Sequence, residues 1–129
     1  MAEELKRILH VDDDEDIRAI VQLALEIVDS FELLQCASGQ EALEKASDFR
    51  PQLILLDVMM PGMSGQTLAT ELAKEGALTH VPVVFVTAKA ESEFTEQLVA
   101  EGATAVITKP FDPMTLGSEI KSIWGDSQR

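Results

Sequence analysis

Asp12, Asp13, Asp57, Thr87 and Lys109 lie far apart in the chain, yet each stands at or just past the end of a short apolar run: "ILHVDD", "LILLD", "VVFVT" and "AVITK". Brought together, they form a set with definite chemistry. Three grouped carboxylates raise one another's pKa unless a cation intervenes. An all-oxygen ligand set with room for water suits Mg²⁺, which binds through a few carboxylates plus phosphate oxygens. A lysine and a threonine hydroxyl opposite the metal could hold the remaining phosphoryl oxygens. One carboxylate could then act as nucleophile and become an aspartyl phosphate. Asp57 is the best candidate, because the turn-rich "VMMPGMSG" that follows leaves its side chain open to solvent.

The elements that must position these groups are legible from periodicity. The runs "RILHV" (7–11), "FELLQC" (31–36), "QLILL" (52–56), "VPVVFV" (81–86) and "ATAVIT" (103–108) are short, aliphatic or β-branched, and read as strands. Between them lie segments of helical period. The first carries Ile17, Ile20, Val21, Ala24, Leu25 and Val28 as one stripe. The second opens with Ser38 as cap and Glu41 three residues on, a capping box, and buries Ala42, Leu43, Ala46 and Phe49. The third carries Leu68, Ala69 and Leu72, with Gly76 as its stop. The fourth, "ESEFTEQLVAEG", has Phe94 and Leu98 in register and ends at Gly102. The last begins with Asp112 as cap and Pro113 at the first helical position, and buries Leu116, Ile120, Ile123 and Trp124. Five strand–helix units with short links predict an α/β fold: a doubly wound (βα)₅ domain with a parallel sheet and helices on both faces. In such sheets, functional groups collect beyond the carboxyl ends of the strands.

Composition narrows the class further. A chain of 129 residues is one ordinary domain, and 46% hydrophobic with 26% charged residues is globular. Ten basic residues against 23 acidic ones give a formal charge of −13, a field that repels phosphate backbones and anionic lipid. Direct nucleic-acid binding is therefore not expected, and no apolar run approaches the roughly 18 residues needed to cross a bilayer. "MAEELKRILH" lacks the layout of a secretion signal, and the single Cys36 cannot form an intramolecular disulfide. A cytoplasmic location is the default.

At "ILHVDDD" (8–14), "LILLDVMMPGMSG" (53–65), "VPVVFVTA" (81–88) and "ITKPF" (107–111) the sequence resembles the receiver domain of two-component response regulators, across about residues 6–124. The resemblance implies a flavodoxin-like sheet of strand order 2-1-3-4-5. It implies that Asp57 accepts a phosphoryl group from a sensor histidine kinase or a histidine phosphotransfer protein, in a Mg²⁺-dependent reaction. Asp13 and Asp57 would be direct metal ligands, Asp12 would act directly or through water, and the backbone carbonyl of Met59 would complete the set. Thr87 would hydrogen-bond the phosphoryl group and Lys109 would form a salt bridge to it. The Lys109–Pro110 bond would be cis. A downstream protein would read the fourth helix, fifth strand and fifth helix. One departure stands out: the family often has Tyr or Phe three residues before the lysine, and here that position is Val106.

Blander roles belong to other residues. Asp14, Glu15 and Asp16 are placed in the first helical turn, where negative charge complements the helix dipole. His10 reads as a tolerated strand residue, because hard Mg²⁺ prefers oxygen. Cys36 reads as a core filler, His80 as solvated, and Met59, Met60 and Met63 as loop packing. The expected function is a stand-alone receiver over residues 1–129, with no output domain and signalling through protein–protein binding rather than turnover. A phosphorelay intermediate or the receiver part of a larger regulator are close variants. A Mg²⁺-dependent aspartyl-phosphate phosphohydrolase is the rival from another class. It would need an acid two residues after the nucleophile, where this chain has Met59.

Overall fold

A strand whose five residues are all buried, as Leu53–Asp57 is, needs helices over both of its faces. The computed structural model describes residues 3–88 and 92–128. In chain order the elements are β1 (Arg7–Val11), α1 (Glu15–Gln22) continuing as a π-helical segment (Leu23–Val28), β2 (Glu32–Cys36), α2 (Gly39–Phe49) and β3 (Leu53–Asp57). There follow α3 (Gly65–Ala73), a 3₁₀ turn (Gly76–Leu78), β4 (Val83–Thr87), α4 (Ser92–Ala100), β5 (Ala105–Thr108) and α5 (Leu116–Ser127). The strands form one parallel sheet in the order β2-β1-β3-β4-β5, the expected doubly wound arrangement.

Alternation along each strand divides the core in two. Ile8, Leu53, Leu55, Val84, Val86 and Ile107 pack with Val21, Leu25, Leu116, Ile120 and Trp124 on the α1/α5 side. Leu9, Val11, Ile54, Leu56 and Phe85 pack with Ala42, Ala46, Leu68, Leu72 and Leu98 on the other. Register then delivers the site. Val11 pairs with Cys36 on one side and Leu56 on the other, so Asp12 and Asp57 follow at the same level. Thr87 pairs with Thr108, one residue before Lys109.

Local chemistry explains most helix starts. Asp14 is the N-cap of α1, its carboxylate accepting from Asp16 N and Ile17 N. It therefore sits just outside the first turn in which Asp14 was expected, with Glu15 and Asp16 inside it. Ser38 Oγ accepts from Glu41 N at 3.1 Å, and Glu41 Oε1 reaches back to Ala37 N at 2.7 Å, one residue beyond the usual partner of a capping box.

Four expectations need correction. Asp57 and Thr87 are the last residues of their strands, not the residues just past them. Ile20 and Val28 are exposed, at 38% and 40%. Ile20 lies about 100° round the axis from buried Val21, at the stripe's margin, and Val28 ends the π-helical segment, whose pitch differs from that of an α-helix. The third helix stops at Ala73, and Gly76 opens a separate 3₁₀ turn. Asp112 caps a turn, accepting from Met114 N at 2.9 Å, while Thr115 at φ −113° delays the start of α5 to Leu116. In the fourth segment Glu91 lies outside the described residues; Leu98 is buried, and Gly102 follows at φ +112°.

Gly65, the first residue of α3, is packed against the chain at the site. A Cβ there would lie 2.2 Å from the carbonyl oxygen of Asp57. Gly125, inside α5, has nothing within 4 Å of the same position. Replacing glycine by alanine in an unobstructed helix stabilises by about 1 kcal/mol. Gly125→Ala is therefore expected to raise stability in urea unfolding. Gly65→Ala is expected to lower it, because backbone at Asp57 must move.

Candidate functional site: an acidic cluster bridged by a lysine

The β1–α1 turn is built around Asp12, which is fully buried. Its N–H donates to the carbonyl of Cys36 at 3.1 Å, carrying the β1–β2 ladder one step past the strand. Its Oδ1 accepts from Asp14 N at 2.9 Å, and its carbonyl oxygen accepts from Arg18 Nη1 at 2.8 Å. Each bond constrains the turn from a different direction. Asp13, between Asp12 and the cap, is exposed.

Asp57 ends the central strand beside it and is buried, at 6% exposure, where the turn-rich loop after it had suggested a side chain open to solvent. The Lys109 ammonium bridges the two, 3.2 Å from Asp57 Oδ1 and 3.3 Å from Asp12 Oδ2. Asp12, Asp13 and Asp57 can each offer a carboxylate oxygen within 4.8 Å of the others. Lys109 is held there by its own backbone, which donates to the carbonyl of Thr87 at 2.8 Å, and its bond to Pro110 is cis. Thr87 is buried at the end of β4. The sheet thus assembles Asp12, Asp13, Asp57, Thr87 and Lys109 at one edge, as their spacing predicted.

The electrostatics follow from burial and charge. Burial first, and then the Asp12 carboxylate, raise the pKa of Asp57, with Lys109 opposing both. Burial works against the Lys109 ammonium, but Asp12 and Asp57 together outweigh it and its pKa is raised. Three carboxylates against one ammonium leave an excess of negative charge, and the donors are all oxygen. Such a set fits a hard divalent cation.

Other residues fall as follows. Met59 lies in the loop two residues after Asp57 and is 73% exposed, while Met60 and Met63 pack on the core. Val106 is half-buried against the α3/α4 side of the core. Cys36 is a buried filler and His80 is exposed.

Three residues near the site escaped the sequence reading. Gly65 supports Asp57, as described. Arg18 holds Asp12, and Gln35 Nε2 donates to the carbonyl of Arg18 at 2.8 Å while lying 3.1 Å from His10 Nδ1. His10 is wholly buried, and among the described residues its Nε2 is a buried side-chain atom without a hydrogen-bond partner. The available signal was a pair of polar residues, His10 and Gln35, interrupting two aliphatic strands; they face each other in the sheet register.

Comparison with known proteins places these features in a family. The response regulator receiver domain family matches residues 8–121. The phosphate regulon transcriptional regulatory protein PhoB of Pseudomonas aeruginosa is 39% identical over 118 residues, covering 92% of this chain and 51% of that protein. The alkaline phosphatase synthesis transcriptional regulatory protein PhoP of Bacillus subtilis is 38% identical, over 92% of this chain and 48% of that protein. The chain thus spans about half the length of these curated relatives. Among solved structures, chemotaxis response regulator CheY4 of Vibrio cholerae superposes with a TM-score of 0.84 at 31% identity, covering 92% of this chain and 98% of that one. A CheY-like receiver domain protein from Methanospirillum hungatei does so with 0.82 at 32% identity, covering 95% and 96%.

His10 gives the region a pH dependence. Burial, aided by the Lys109 and Arg18 charges, pushes its pKa from 6.5 down to about 3. Below about pH 6.5 the unfolded chain takes up a proton that the folded chain refuses, so this contribution to stability is present above 6.5 and lost as the pH falls. Asp57, with its raised pKa, acts in the opposite sense at lower pH, but it is common to wild type and variant. Between pH 7.5 and 5.5 the wild type is expected to lose about 1.4 kcal/mol more than His10→Leu. Urea unfolding of both proteins at the two pH values measures the difference.

Proposed function

The chain belongs to the response regulator receiver domain family, and on that premise we propose that Asp57 is its phospho-acceptor. The observation that carries the proposal is the Lys109 ammonium lying 3.2 Å from Asp57 and 3.3 Å from Asp12, with Asp13 completing the carboxylate cluster. A carboxylate oxygen of Asp57 attacks the phosphorus of a phosphohistidine on a sensor kinase or phosphotransfer protein. The phosphorus–nitrogen bond breaks, the imidazole leaves, and an aspartyl phosphate results. Lys109 then pairs with a phosphoryl oxygen, and the Thr87 hydroxyl donates a hydrogen bond to another.

Asp12, Asp13 and Asp57, with the Met59 carbonyl, would hold Mg²⁺. Its chemistry when bound is to neutralise charge on the carboxylates and on the incoming phosphoryl group. The output in this reading is altered binding of a downstream protein at the surface of α4, β5 and α5. Phosphorylation is stoichiometric, not a turnover activity, and the protein acts in the cytoplasm. Among the described residues no helix is long and apolar enough to cross a membrane. The relatives' roles in transcription remain theirs, since they share only about half their length with this chain.

With Mg²⁺ and a small phosphodonor, the protein is expected to gain one base-labile phosphoryl group by intact mass, and Asp57→Asn none. Equal labelling of the variant would overturn the assignment, and sustained turnover of small phosphomonoesters would favour a phosphohydrolase instead. Millimolar Mg²⁺ alone is expected to raise the melting temperature, because binding relieves carboxylate repulsion. An unchanged transition would count against the metal site.

A further inference from the structure

We propose that Gln35, together with His10 and Arg18, positions the cation-binding turn Asp12–Asp14. The inference rests on the reading of that turn as part of a Mg²⁺ site.

The hydrogen-bond roles leave one arrangement. The Arg18 carbonyl can only accept, so the atom 2.8 Å from it is the Gln35 amide nitrogen. That nitrogen can only donate, so His10 Nδ1, 3.1 Å away, accepts, and the imidazole proton is on Nε2. Both amide hydrogens of Gln35 are used. Arg18 in turn donates through Nη1 to the Asp12 carbonyl at 2.8 Å. The connections close on themselves, because His10 lies on β1 and Asp12, two residues on, directly follows that strand. The ring ties β1, β2 and the first turns of α1 to the residue that faces Lys109.

Stability does not account for it. A buried imidazole with an unpartnered Nε2–H costs free energy that an aliphatic side chain would avoid. What His10 supplies is an acceptor that orients the Gln35 amide, whose other hydrogen then holds α1 where Arg18 reaches Asp12. With its carbonyl and Oδ1 both engaged, Asp12 presents Oδ2 to the cluster in one direction. Groups that orient metal ligands from outside typically change metal affinity 10- to 100-fold.

The test is Mg²⁺ titration by isothermal calorimetry on the whole protein. Gln35→Met keeps the length of the side chain and removes both donors; it is expected to weaken Mg²⁺ binding about tenfold. Arg18→Met, which breaks the direct link to Asp12, should act in the same direction and serves if Gln35→Met does not fold. Ile120→Val, on the buried face of α5, controls for lost stability and should leave Mg²⁺ affinity unchanged. Wild-type affinity in a folded Gln35→Met or Arg18→Met protein would overturn the proposal, as would equal weakening in Ile120→Val. Absence of Mg²⁺ binding by the wild type would overturn the metal site itself, a separate outcome.

Discussion

One ammonium lies between two buried carboxylates, and the site depends on that contact. Asp12 and Asp57 would repel each other at the end of a sheet where water is largely excluded; Lys109 makes their proximity tolerable. The contact needs β1 and β3 to be neighbours in register, and it needs β5 to return the chain to the same edge from the far side of β4. It also needs Gly65, because a side chain there would collide with the backbone of Asp57. The doubly wound order is therefore as much a part of the electrostatics as the charges are. The compensation is incomplete, since Asp13 adds a third carboxylate, and that residual charge is what makes the edge receptive to a divalent cation.

The fold was readable because local and global preferences agree. The uninterrupted "LILL" required cover on both sides, and it forms the fully buried β3. Apolar spacing in α2 and α5 marked Ala42, Ala46, Leu116 and Ile120, all of them buried. The site was readable for a related reason: in a parallel sheet, every residue that ends a strand comes to the same edge. Errors gathered where two local solutions compete. At "FDPMTL" the proline permits a helix start, but Asp112 satisfies a tight turn first. Along α1, a stripe drawn at constant pitch ran into residues where the pitch changes.

The support of the site was harder to read. Gln35 and His10 become a pair only when β1 and β2 are placed side by side, and no spacing in the sequence states that register. Arg18 looks like one more charge on a polar helix face. Its role depends on a backbone carbonyl, an acceptor present at every residue and therefore without any sequence signature. Gly65 is similar, since its significance is the approach of another segment's main chain.

The π-helical end of α1 leads to a different consideration. Past it, Asp29 comes to rest against Gly117, where no side chain intervenes, and takes the Lys121 ammonium at 3.1 Å. The helix is thus pinned at both ends, by Arg18 on Asp12 and by Asp29 on α5, with the π turns between. A π turn packs more residues into a given rise than an α turn does. In terms of chain length, α1 carries slack: a segment one residue shorter could cross the same interval at ordinary pitch with both anchors in place. Contour length here exceeds the distance to be spanned, and the surplus is stored as a wider coil.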